Sequence, residues 1–151
     1  MAQSNGGLIH YAWAFRHQDS VDRVLGLLPA TDFRSWPGVD YVMEPESWPP
    51  HALSIPPGLS YDMTRAEFES RITEFNPIDN LKPLADAGLK ILHIHGDQDR
   101  TVPLGPNSEE FVRRYRALGG QIVLEVAHGY GHATALPVYY ESERAVRFLT
   151  E

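Results

Sequence analysis

Apolar positions along this chain recur at two spacings, one that suits helices and one that suits buried strands. Leu8, Tyr11, Ala12 and Phe15 share one face of a 3.6-residue repeat, which predicts a helix from Leu8 to about His17, opened by Gly6-Gly7. Val24-Leu25-Gly26-Leu27-Leu28 is short, apolar and closed by Pro29, the form of a strand covered on both faces. Lys90-Ile91-Leu92-His93-Ile94-His95 repeats that form more strongly, and Gln121 to Val126 is a further β-rich run. Between them, Thr64 with Glu67 three residues on forms a capping-box pattern that predicts a helix to Ile72. Asn76-Pro77-Ile78-Asp79-Asn80 breaks it. Ser108 is read as the cap of a helix through Leu118, and Gly119-Gly120 as its stop. A last helix from about Val138 to Leu149 offers Tyr139, Val146 and Leu149 for packing. Helices alternating with short apolar strands predict an α/β fold, with parallel strands centred near 24–28, 90–95 and 121–127.

Residues 33–62 depart from both periodicities. They hold six prolines and two tryptophans and read as a long surface excursion, longer than a routine connection and therefore a candidate for function. No repeat, low-complexity run or linker divides the chain, so residues 1–151 are read as one truncated domain. At this length a chain buries about 68–70% of its unfolded surface, enough for one core.

Composition narrows the function. A net charge of −7, with no dense Lys/Arg cluster, opposes attraction to nucleic acid or anionic lipid. With no cysteine, disulfides, thiolate catalysis and Cys-ligated metals are excluded, although this does not assign a compartment. No run approaches the roughly 20 apolar residues of a membrane span, and no signal peptide is visible near the start.

The candidate chemistry lies at the ends of the predicted strands. Ala2-Gln3-Ser4-Asn5-Gly6-Gly7 approximates a small-x-Ser-x-Gly turn that runs directly into a helix. Gly96-Asp97-Gln98-Asp99 follows the strongest strand, and Gly129-Tyr130-Gly131-His132 follows the next. A serine hydroxyl attacks well only when an imidazole takes its proton and a carboxylate holds that imidazole in the right tautomer. Ser4, His132 and Asp99 supply those three groups in the order Ser, Asp, His. Asp97 is the competing acid and His128 the competing base. Spacing within the Gly96-to-Pro103 turn favours Asp99, and flanking glycines favour His132. The Asn5 backbone N–H follows the serine and is the candidate oxyanion donor.

With these motifs in place, the chain resembles the C-terminal half of an α/β-hydrolase of the esterase/prolyl-oligopeptidase-like superfamily. The matching blocks are residues 2–8, 76–84, 91–104, 113–120 and 129–132. The resemblance implies a partial α/β-hydrolase fold with a mostly parallel sheet flanked by helices. It implies Ser4 as nucleophile, Asp99 as triad acid, His132 as general base, and hydrolysis through an acyl-enzyme without cofactor or metal. Ala2 stands where the superfamily usually has glycine. The strand entering the serine turn, the superfamily's early strands and its first oxyanion loop are expected to be absent. The expected substrate is a small or medium acyl ester, with a serine peptidase or a noncatalytic hydrolase fragment as alternatives. An unpartnered sheet edge leads us to expect a homo-oligomer or a complementing chain.

Other features read more simply. His93 and His95 are two apart on one strand face and are assigned to packing or hydrogen bonding rather than to metal. Trp36, Trp48 and Tyr61 anchor the excursion or line an acyl pocket. Arg113, Arg114 and Arg116 form a solvated face beside Glu109 and Glu110.

Overall fold

The computed structural model describes residues 1–39, 63–134, 138 and 140–151. Trp48, Tyr61, Tyr139 and most of the 33–62 excursion lie outside them. The elements, in chain order, are β1 (Ala2–Gln3), α1 (Gly6–Ala14), β2 (Arg23–Leu27), α2 (Arg65–Phe75), α3 (Lys82–Asp86), β3 (Lys90–Gly96), α4 (Glu110–Ala117), β4 (Ile122–Ala127) and α5 (Glu143–Thr150). The strands form one sheet in the order β1-β2-β3-β4, every pair parallel. This is the α/β architecture that the alternating pattern predicts.

A fourth strand corrects the expectation of three. Ala2 and Gln3 pair with Gly26 and Leu27, so the serine turn does follow a strand, although only two residues long. Register explains why so short a strand holds. Ala2 is fully buried, and the Ser4 N–H extends the ladder to the Leu27 carbonyl at 3.0 Å.

Period-two alternation along β2 and β3 sends side chains to two separate cores. Val24 and Ile91 pack with Tyr11 and Ala14 of α1, with Phe15 just after it, and with Phe111, Val112 and Tyr115 of α4. Leu25, Leu27, Leu92 and Ile94 face the other way, against Ala145 and Phe148 of α5. Helices therefore cover both faces, as an all-parallel sheet requires. A third cluster joins Leu8, Ala30 and Phe33 to Phe68 and Ile72 of α2 and to Val102.

Element ends follow local chemistry. Thr64 and Glu67 form the reciprocal capping box, and α2 runs past Ile72 to Phe75 before Asn76-Pro77. Gly119, at φ 83°, ends α4 in a conformation that a side chain would resist. Two assignments change. Ser108 does not cap α4; it lies in a π-helical turn at Gly105–Glu109, and its hydroxyl is taken by two imidazoles. On α5 the packing residues are Ala145 and Phe148, whereas Val146 and Leu149 are 57% and 46% exposed. A helical repeat offers two adjacent apolar stripes there, and the smaller one faces the sheet.

Candidate active site

The carboxyl ends of β1, β3 and β4 bring Ser4, Asp99 and His132 together. Ser4 occupies the first position after β1 with φ 49°, in the left-handed region that non-glycine residues rarely enter. Its neighbours hold it there. Ser4 N–H donates to Leu27 O, while Ser4 O accepts from Gly7 N–H and Ala30 N–H, both at 2.9 Å. With its backbone held by these bonds, the serine presents Oγ to His132. Gly7 is required at this junction because a Cβ there would collide with the Ala30 carbonyl. Leu28, at φ 41°, is a second strained residue beside the turn, pinned by its N–H to Ile94 O at 2.8 Å. Two strained residues at the ends of adjacent strands mark a position that the surrounding fold over-determines.

Ser4 Oγ lies 2.8 Å from His132 Nε2, and His132 Nδ1 lies 2.7 Å from Asp99 Oδ2. The carboxylate only accepts, so Nδ1 carries the proton and Nε2 is left to accept from the serine. Asp99 Oδ1 takes the N–H groups of Thr101 and Val102, each at 2.9 Å, which fixes the carboxylate on its turn. Burial pushes the Asp99 carboxyl up, but bonds from His132, His95 and the Val102 N–H outweigh it and hold the group well below the ordinary carboxylate range. The acid is therefore anionic wherever the protein is folded at neutral pH.

The two loops carrying Asp99 and His132 are locked together. Gln98 N–H donates to Tyr130 O at 3.0 Å, and Gly96 passes so close to Tyr130 that a Cβ would overlap its carbonyl. The competing residues pair with each other instead: His128 Nδ1 is 2.9 Å from Asp97 Oδ2, and Gly129 N–H donates to Asp97 Oδ1 at 2.7 Å. The His128 side chain is 83% exposed. This second His–Asp pair braces the loop and does not touch Ser4. Asn5 directly precedes α1, so its N–H is one of the helix-initial donors without an intrahelical acceptor.

Sequence reasoning missed the support beneath Asp99. The sequence pattern puts His93 and His95 on one strand face; the structure adds that both meet Ser108 Oγ, at 2.9 and 2.8 Å. The available signal was the buried, polar i, i+2 pair itself. Arg113 and Arg114 pair with Glu110, and Arg114 also reaches Asp79. Glu109 takes no part in those pairs.

The fold has parallels among solved structures. The chain superimposes with a TM-score of 0.69 on a protein from Bacteroides ovatus assigned as a dipeptidyl aminopeptidase IV, at 18% identity, covering 98% of this chain and 18% of that one. A truncated carbohydrate esterase from gut microbiota gives 0.66 at 18% identity, over 97% of this chain and 56% of the other. Porphyromonas gingivalis dipeptidyl peptidase 4 gives 0.65 at 15% identity, over 97% and 18%. No protein-family model and no curated protein matches the chain. The fold is thus a partial α/β-hydrolase fold, of the kind found in prolyl-oligopeptidase-type peptidases and esterases. This chain spans about a fifth of the length of the peptidases and just over half of the esterase.

Proposed function

We propose that this chain is a serine hydrolase that cleaves carboxylic esters of small or medium acyl groups through an acyl-enzyme. The observation that carries the reading is the continuous contact from Ser4 Oγ to His132 to Asp99, with Ser4 in a strained, over-determined turn. Ser4 Oγ attacks the ester carbonyl carbon as His132 Nε2 takes its proton. The carbonyl oxygen becomes an oxyanion facing the Asn5 N–H. Collapse expels the alcohol, which receives the proton from His132. A water then loses a proton to the same nitrogen and attacks the acyl carbon; collapse releases the carboxylic acid and returns the proton to Ser4. Asp99 stays ionised throughout and stabilises the imidazolium.

Likeness to both an esterase and peptidases supports a serine peptidase as the second reading. Turnover of acyl p-nitrophenyl esters and of short peptide amides, each compared with Ser4→Ala, separates the two. Ester turnover that survives Ser4→Ala sinks the nucleophile assignment, and amide turnover above ester turnover reverses the preference. A noncatalytic hydrolase fragment is the third reading; loss of all turnover in a folded wild-type chain would favour it.

Association with a second copy or a complementing chain is part of the proposal. Among the described residues β1 pairs on one side only, and Ile9 and Trp13, one helical turn apart on α1, are exposed. Native mass and solution scattering test this; a monomer at micromolar concentration contradicts association with a second copy.

A further inference from the structure

A buried polar chain lies under the Asp99 loop, and the triad reading does not use it. It joins Tyr11 of α1, His93 and His95 of β3, and Ser108 of the turn before α4, all fully buried. Tyr11 Oη is 2.6 Å from His93 Nε2. His93 Nδ1 and His95 Nδ1 both contact Ser108 Oγ, at 2.9 and 2.8 Å. His95 Nε2 is 2.9 Å from Val102 O and 3.5 Å from Asp99 Oδ2. Polar groups this deep destabilise a fold unless every one is satisfied, so the order of protons along the chain is constrained.

That order follows by elimination. The Val102 carbonyl only accepts, so His95 Nε2 carries its proton. With that one ring proton on Nε2, His95 Nδ1 offers a lone pair, which accepts from the Ser108 hydroxyl at 2.8 Å. Having donated its one proton, Ser108 Oγ accepts from His93 Nδ1–H, and His93 Nε2 accepts from the Tyr11 hydroxyl. Burial keeps Tyr11 and His93 neutral: it pushes His93 down to about 3 and the Tyr11 phenol well above its ordinary value. The reverse order would set the His95 Nε2 lone pair against both the Val102 carbonyl and the Asp99 carboxylate.

We propose that His95 is a positioning residue for the triad acid, its Nε2 proton kept toward Val102 and Asp99 by the Tyr11–His93–Ser108 chain. The bond to Val102 O holds the same turn whose Thr101 and Val102 amides grip Asp99 Oδ1, and so leaves Oδ2 aimed at His132. Because Tyr11 belongs to the helix that begins just after Ser4, the chain ties the nucleophile's helix to the acid's loop. The inference rests on the reading of Ser4, His132 and Asp99 as a triad.

Two substitutions separate donation from space-filling. His95→Gln returns an amide donor near the Nε2 position, whereas His95→Met fills similar volume without one. The readouts are the rate of Ser4 modification by a fluorophosphonate, kcat and KM on a p-nitrophenyl ester, and imidazole 15N–1H spectra. His95→Met is expected to slow labelling and lower kcat by about 10- to 100-fold, the scale of a small misplacement of a reacting group, with KM within about twofold. His95→Gln should recover most of the loss. Wild-type spectra should show His95 protonated at Nε2 and His93 at Nδ1. A proton on His95 Nδ1, or a folded His95→Met that labels at the wild-type rate, overturns the inference. If the His95 variants do not fold, Tyr11→Phe removes one oxygen and keeps the ring contact with Phe111. It should populate the second His93 tautomer and slow labelling several-fold, and no change in either overturns the inference. A wild-type chain unlabelled at Ser4 refutes the triad reading instead, and the imidazole spectra then decide the proton order alone.

Discussion

Acidification should destabilise this fold well above the range where its carboxylates protonate, because His93 is buried in neutral form. In the unfolded chain His93 gains a proton near its ordinary value of 6.5, whereas in the folded chain burial and the neighbouring His95 push that event down to about 3. Between those two values the unfolded state binds one more proton than the folded state. Stability contributed by neutral His93 is therefore complete above pH 6.5 and lost as pH falls toward 3, at up to about 1.4 kcal/mol per pH unit. The whole window amounts to about 5 kcal/mol, a large share of the roughly 5–15 kcal/mol that a domain has. From pH 6.5 to 4.5 the His93 share is about 2 kcal/mol. His93→Gln removes the titration and keeps hydrogen-bonding atoms in the buried chain. Urea unfolding of both proteins at the two pH values gives a difference of differences. The intrinsic cost of the substitution and the titration of groups not coupled to His93 cancel in it. The variant should lose about 2 kcal/mol less than the wild type on acidification. Equal losses would refute the claim that His93 is held neutral.

Three other outcomes follow from the site. Gly96→Ala should separate the acid and base loops, because its Cβ would overlap the Tyr130 carbonyl; kcat should fall about 100-fold while the chain still folds, and unchanged kcat contradicts the locked-loop account. Ser4→Gly should be more stable than Ser4→Ala by about 1 kcal/mol in thermal unfolding, since only glycine adopts φ 49° without strain; equal melting temperatures would show that the turn is unstrained. His128→Ala should leave kcat within about threefold of wild type, because His128 is bound to Asp97 and touches no reacting atom, whereas His132→Ala should lower it by at least about 1000-fold. The opposite ranking would exchange the two histidines' roles.

Much of this arrangement was legible in the chain. The apolar runs at Val24 and Ile91 carried the strands because a parallel sheet is buried on both faces, and their alternation does split into two cores. Thr64-x-x-Glu67 carried its helix start because the capping box is a local device. The turn position favours Asp99 over Asp97 and the flanking glycines favour His132 over His128, and Asp99 and His132 are the pair whose side chains meet beside Ser4. What could not be read were features set by partners distant in sequence. The two-residue strand at Ala2 exists only through pairing with Gly26 and Leu27. Ser108 has the composition of a cap, but tertiary contact with two imidazoles from β3 claims its hydroxyl. Val146 and Leu149 fit a helical stripe as well as Ala145 and Phe148 do, and only tertiary packing against Leu25, Leu27, Leu92 and Ile94 chooses between them.

The central claim is that Ser4 is a nucleophile activated by His132, and covalent labelling tests it most directly. A fluorophosphonate adds its phosphorus to an activated serine Oγ with loss of fluoride. Intact mass followed by peptide mapping then reports how many adducts form and where. The account predicts a single adduct on Ser4, absent in Ser4→Ala and slowed by at least about 1000-fold in His132→Ala. A wild-type chain that stays unmodified, or one modified equally well after Ser4→Ala, would contradict it.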